Sequence, residues 1–203
     1  MHPEKIHNAS SSPENEKYAG LWNNLRGGDR KALAQIYTQY FNKLYNYGSR
    51  ITTDVKMVED SIQDLFIELW NKREKLREVR NVKYYLFKAL RRKIILRLTD
   101  SKSLCHTVDI SSFEMKLSHR SHYINREVTK EIRKKLMHLI ESLTPKQKEA
   151  IFLIYYDELS FKEVASIMSV EVRTVYNLVH QAMVKLRENK SSLSTFSILP
   201  WLI

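Results

Sequence analysis

The chain has 203 residues, with 34 Lys and Arg against 23 Asp and Glu, a formal net charge of +11 and 43% hydrophobic residues. That is enough apolar material for one domain or two small ones, and the cationic excess points to a polyanion, nucleic acid before an anionic membrane. Only four glycines and four prolines disfavour an all-β fold built on tight turns, and the single cysteine, Cys105, excludes an internal disulfide and fits a reducing cytoplasm.

Residues 1–16 are polar, carry Ser, Asn and Pro without periodicity, and lack the apolar core of a signal peptide; they read as a disordered N-terminus. No apolar run reaches the ~18 residues of a membrane span. A short helix is expected around Tyr18 to Leu25, with Leu21, Trp22 and Leu25 on one side. Gly27 and Gly28 break it, and Asp29 caps a second helix in which Leu33, Ile36, Tyr37, Tyr40, Phe41, Leu44 and Tyr45 recur at helical spacing. That helix is expected to fade near Gly48 to Asp54.

The stretch from Val58 to Glu78 reads as the third helix. At 100° per residue Val58, Ile62, Leu65, Phe66, Leu69 and Leu76 share one side. Asp60, Gln63, Asp64, Ile67 and Asn71 form a narrow stripe opposite. An acidic stripe with one apolar residue at its middle suggests a docking surface; a solvated face with one exposed Ile is the plainer alternative.

From Lys72 to Lys102 the charge changes sign. Asn81 to Leu98 reads as a helix with Tyr84, Lys88, Arg91, Arg92 and Ile95 on one side, and Leu86, Ala89, Leu90 and Ile94 roughly opposite. Cations beside aromatic rings suit unpaired nucleic acid, because rings stack on bases for ~1–3 kcal/mol each while cations neutralise phosphate. Residues 99–124 lose periodicity and read as a flexible linker. Its histidines, with Cys105, are too sparse for a zinc site, so no metal is expected.

A helix is expected over Val128 to Glu141, with Ile132, Leu136, Leu139 and Ile140 inward. Thr144 with Gln147 and Ser160 with Glu163 form two capping boxes, and Pro145 stands at a first helical position. The second box opens a short helix burying Val164, Ala165 and Met168. Ser169 and Val170 turn the chain into a last helix burying Val172, Val175, Val179, Ala182, Met183 and Leu186. This is a helix-turn-helix pattern. Its outward residues include Arg173, Thr174, Tyr176, Asn177, His180 and Gln181, types that reach base edges or phosphates in a major groove. The tail over residues 190–203 is apolar. It either packs against the second domain, or holds the two domains together in an inactive form or binds a regulator.

Taken together, the GDRKALAQIYTQYFNKLYNYG entry, the EDSIQDLFIELW helix, the NVKYYLFKALRRK segment and the LTPKQKEAIFLIYY…LSFKEVASIM…RTVYNLVHQAMVKL block resemble bacterial RNA polymerase sigma factors of the extracytoplasmic-function type. The resemblance implies an all-α protein of two small helical domains on a flexible linker. Residues 17–98 would be a region 2-like domain, 99–124 the linker and 125–189 a region 4-like helix-turn-helix domain. It implies that Asp60, Gln63 and Asp64, with Ile67 and Asn71 beside them, dock on the β′ coiled coil of core RNA polymerase. It further implies that Tyr84, Tyr85, Lys88, Arg91 and Arg92 engage the melted −10 element, and that Arg173, Thr174, Tyr176, Asn177, His180 and Gln181 contact the −35 element. The implied partners are the β and β′ subunits of the polymerase, promoter DNA and an anti-sigma factor, with no cofactor, no small-molecule substrate and no catalytic residue, since catalysis stays with the polymerase.

The chain departs from the family at Arg92, where Asn is usual, at Ser169, where Gly is usual, and at Glu171, where Ser usually caps the recognition helix. Two other classes remain open to the residues alone. One is a free-standing helix-turn-helix regulator, which leaves the acidic stripe without a purpose. The other is a nuclease holding metal on Glu59, Asp60, Asp64 and Glu68, which lacks a second carboxylate cluster.

Overall fold

The computed structural model describes residues 13–101, 113 and 138–188, and among these all regular structure is helical. The described residues fall into two bodies, residues 13–101 with Ser166–Met168 in the first, and 113, 138–165 and 169–188 in the second.

The first body contains α1 (Pro13–Arg26), α2 (Arg30–Ile51), α3 (Val55–Asn71) and α4 (Val82–Ser101). α1 begins at Pro13, inside the stretch expected to be disordered; proline lacks only a donor that the first turn leaves unused. Asp29 caps α2 as expected, its carboxylate accepting from Lys31 N at 2.7 Å. α2 ends at Ile51, with Thr52 as its C-cap, within the stretch Gly48 to Asp54 where it was expected to fade, and Gly48 itself is still helical. Gly48 is there for packing: a Cβ on it would lie 2.7 Å from Val58 Cγ1 and 3.1 Å from Ile94 Cδ1. Asp54 caps α3, accepting from Met57 N at 2.9 Å. Asn81 opens α4 by accepting from Tyr84 N at 3.1 Å.

Between α1, α2, α3 and α4 lie Trp22, Leu25, Ile36, Leu44, Tyr47, Ile62, Leu86, Phe87, Leu90 and Ile94, all fully buried. Each such side chain contributes roughly 1.5–3 kcal/mol over an exposed one. The rings of Tyr47 and Phe87 stack at 5.0 Å, joining α2 to α4. Leu76 was expected on the α3 core face but lies beyond it, since α3 ends at Asn71 and a single 3₁₀ turn, Arg73–Lys75, follows. Thr99 to Ser101, expected in the linker, complete α4.

The second body holds a helical turn at residues 138–141, then α5 (Pro145–Ile151), a π-helical turn (Phe152–Tyr156), α6 (Phe161–Met168) as far as Ala165, and α7 (Val172–Glu188). Both capping boxes form: Thr144 and Ser160 each accept from the backbone of Gln147 and Glu163 at 3.3 Å, and those side chains reach back. Val164, Ala165, Met168, Val175, Val179 and Ala182 are buried as expected. Val172, Met183 and Leu186 are only half-buried, at the two ends of the packed face of α7. Phe113, expected in the linker, is 2% exposed, its ring 5.8 Å from that of Phe152. Phe113 is thus a core residue of this body. The apolar tail 190–203, most of the linker and the greater part of the helix expected over 128–141 lie outside the described residues.

Candidate protein and nucleic-acid interfaces

The α3 stripe follows from the burial of its other side. Val58, Ser61, Ile62, Leu65, Phe66 and Leu69 face the core, which turns Gln63, Asp64, Ile67 and Asn71 to solvent and leaves Asp60 half-buried. Ile67 is 57% exposed, an uncommon position for an Ile without a partner surface. Asp64 is not a free carboxylate: Arg97 of α4 pairs with it through Nη2 and donates from Nη1 to Met57 O at 3.3 Å. One turn on, Glu68 pairs with Lys93 and lies 3.7 Å from Lys72. The Lys93 hydrogen bond foremost, with the charges of Lys93 and Lys72, holds the Glu68 carboxyl below its ordinary value against an opposing desolvation. The carboxylate row therefore runs along a cross-helix ladder, and among the described residues it forms no metal-holding cluster.

On α4, Tyr84, Tyr85, Lys88 and Arg92 converge on a cleft of about 600 Å³ between α3 and α4, floored by Leu65, Leu69 and Ala89. Arg91 does not join them. It lies half-buried outside the cleft lining, because a 100° step per residue carries it past the cleft's edge. Lys88 donates to Tyr84 Oη at 3.3 Å and sits 5.7 Å from its ring centre. The Tyr85 ring meets Trp22 edge-on at 4.8 Å; burial foremost, then the charge of Glu68, pushes its phenol pKa up. The segment bounding the cleft is tethered from α1, with Trp22 Nε1 donating to Arg77 O at 3.0 Å and Arg26 Nε to Leu76 O at 2.9 Å. Trp70, at the end of α3, lies 4.6 Å from the Arg73 guanidinium and 5.5 Å from that of Arg30. Sequence reasoning missed these tethers, which pair residues 50 and more apart; only the buried polar tip of a tryptophan hinted that a partner was needed.

In the second body Arg173, Thr174, Tyr176, Asn177, His180 and Gln181 are all exposed along one side of α7. Gln181 accepts from Gln147 Nε2 at 3.3 Å, which ties it to α5. Ser169 takes the left-handed conformation, φ 57°, that the departure from glycine implied, and Val170 N closes on Ala165 O at 3.0 Å. The left-handed residue costs about 1 kcal/mol, and it sets the angle at which α7 leaves α6.

Two family models match the chain: Sigma-70 region 2 over residues 36–103 and Sigma-70, region 4 over residues 133–186. Among curated proteins, the ECF RNA polymerase sigma factor SigW of Bacillus subtilis (strain 168) is 24% identical over 176 residues, 83% of this chain and 94% of that protein. The RNA polymerase sigma factor YlaC of the same strain is 23% identical over 172 residues, 79% of this chain and 92% of that one. The chain belongs to the extracytoplasmic-function sigma factors. The fold of this sigma factor is also that of solved relatives. It matches CnrH, solved in complex with the cytosolic domain of CnrY, with a TM-score of 0.56 at 18% identity, over 87% of this chain and 99% of that one. It matches the sigma factor RpoE of Bartonella quintana, solved with the anti-sigma factor NepR, with a TM-score of 0.53 at 18% identity, over 81% and 99%.

Proposed function

We propose that this sigma factor binds core RNA polymerase and directs it to promoters by recognising −10 and −35 elements, contributing no catalytic group of its own. The observation that carries the reading is the α3 stripe, in which Gln63, Asp64, Ile67 and Asn71 face outward beside a half-buried Asp60, in a chain that also holds a helix-turn-helix. A free-standing regulator has no use for that stripe. The stripe docks on the β′ coiled coil, with Ile67 as its apolar centre. Tyr84, Tyr85, Lys88 and Arg92 at the cleft, with Arg91 outside it, engage the melted −10 element. Arg173, Thr174, Tyr176, Asn177, His180 and Gln181 contact the −35 element. Residues 17–98 and 125–189 act as the two binding domains, and joining them through residues 99–124 raises the effective concentration of the second contact once the first has formed.

The protein works in the cytoplasm beside the polymerase, and an anti-sigma factor restrains it; solved relatives bound to such partners support that part of the reading. No helix among the described residues is long and apolar enough to cross a membrane. The test is co-elution with bacterial core polymerase followed by run-off transcription on genomic fragments. Co-elution with new start sites is the expected result. Tight duplex binding by the protein alone, without polymerase association, would overturn it in favour of a free-standing regulator.

A further inference from the structure

Phe161 is the first residue of α6, and Tyr176 lies in the second turn of α7. Their rings are 4.1 Å apart and 9° from parallel. Tyr176 is nonetheless 46% exposed, so Phe161 covers one face of the ring and leaves the other open. An exposed tyrosine on a helix ordinarily samples several rotamers; here the stack selects one. The ring beneath it is itself fixed, because the capping box of Ser160 and Glu163 holds the backbone on which Phe161 stands. Arg173, Asn177 and His180 are exposed on the same side of α7. These three offer hydrogen bonds and charge, whereas the Phe161–Tyr176 pair offers a rigid apolar surface already ordered before DNA arrives, which lowers the entropy lost on binding.

The early turns of a recognition helix are those that meet base edges, and of the four bases only thymine presents a methyl group in the major groove. We propose that Phe161 is a positioning residue and that the Phe161–Tyr176 stack reads thymine through its C5-methyl group within the −35 element. The inference rests on the sigma-factor reading and adds to it a base and the pair of rings that recognises it. A cationic or amide side chain at this position would favour guanine or adenine instead. Phe161 acts through Tyr176 and touches no base.

The experiment uses holoenzyme reconstituted from the full chain and core polymerase on a promoter recovered by run-off mapping. Each thymine of the −35 element is replaced in turn by deoxyuridine, which removes only the methyl group. One replacement is expected to weaken open-complex formation by wild type about fourfold, the worth of one buried methyl group. The same replacement should leave Tyr176→Ala holoenzyme unaffected. Phe161→Ala should lose most of the deoxyuridine sensitivity, and Phe161→Trp, which keeps a ring under Tyr176, should retain it. Tyr176→Ala changes only an exposed side chain, so its result stands even if Phe161→Ala fails to fold. Wild type that initiates normally but is indifferent to deoxyuridine at every position overturns this inference and leaves the sigma-factor reading intact. Sensitivity to a methylphosphonate in place of a phosphate, with none to deoxyuridine, likewise overturns it. Failure to form holoenzyme at all overturns both.

Discussion

Gly48→Ala should destabilise the first body, although alanine is the better helix former. In an open helix interior the substitution gains ~1 kcal/mol. At Gly48 the new Cβ would meet Val58 Cγ1 at 2.7 Å, Val58 Cγ2 at 3.4 Å and Ile94 Cδ1 at 3.1 Å. Ile94 can yield at the end of its side chain. Val58 cannot, because it is β-branched and fully buried with one favoured rotamer. Overpacking a filled core costs ~1–3 kcal/mol. The difference is a net loss of about 1 kcal/mol, or ~4–8 °C in Tm for a body of this size. In a Val58→Ala background both Val58 contacts are gone, including the closest, and only the yielding Ile94 end remains, so the same Gly48→Ala change should now raise Tm by a similar amount. Thermal unfolding followed by tryptophan fluorescence checks this, since Trp22 and Trp70 both belong to this body and Trp201 can be replaced by Phe. If Gly48→Ala stabilises the protein equally in both backgrounds, the close approach of α2, α3 and α4 at Gly48 is wrong.

Replacing Asp60, Gln63 and Asp64 together by Ala should weaken core polymerase binding about tenfold or more without changing helix content, because none belongs to the core. Undiminished affinity in a pull-down titration would remove the docking assignment. Ser169→Gly should stabilise the second body by about 1 kcal/mol by relieving the left-handed residue; a lower unfolding midpoint by circular dichroism would show that Ser169 carries no strain. The Glu68 carboxyl is held below its ordinary value in the folded protein, so its pairing contributes above the ordinary glutamate range and is lost as pH falls through the folded-state value. Urea unfolding of wild type and Lys93→Met at stepped pH should therefore differ near neutrality and converge in acid. A difference that persists in acid would assign the role of Lys93 to packing instead.

Much of the candidate site was legible along the chain because it is written in short-range terms. Alternation of apolar and polar residues at helical spacing separates Ile62, Leu65 and Phe66 from Gln63, Asp64 and Ile67 whatever the helix packs against. The capping boxes at Thr144 and Ser160, the cap at Asp29 and the left-handed Ser169 each involve residues within a few positions of one another. Their physics is complete before any tertiary contact forms. Arg91 marks the limit of that approach: periodicity grouped it with Tyr84, Lys88 and Arg92, but where a cleft ends depends on the facing helix.

The sequence by itself determined an all-helical chain, the helix-turn-helix, and which side of α3 and of α7 faces outward. Tertiary structure alone decided that Gly48 is a close-packing point and not a helix end, since a break and a missing side chain look the same along the chain. It alone decided that Asp64 and Glu68 answer Arg97 and Lys93, that α1 holds the segment after α3 through Trp22 and Arg26, and that Phe161 lies under Tyr176. Hydrogen-bond periodicity and capping are properties of neighbouring residues, whereas partners farther along the chain are chosen only when helices dock and every buried volume must be filled at once.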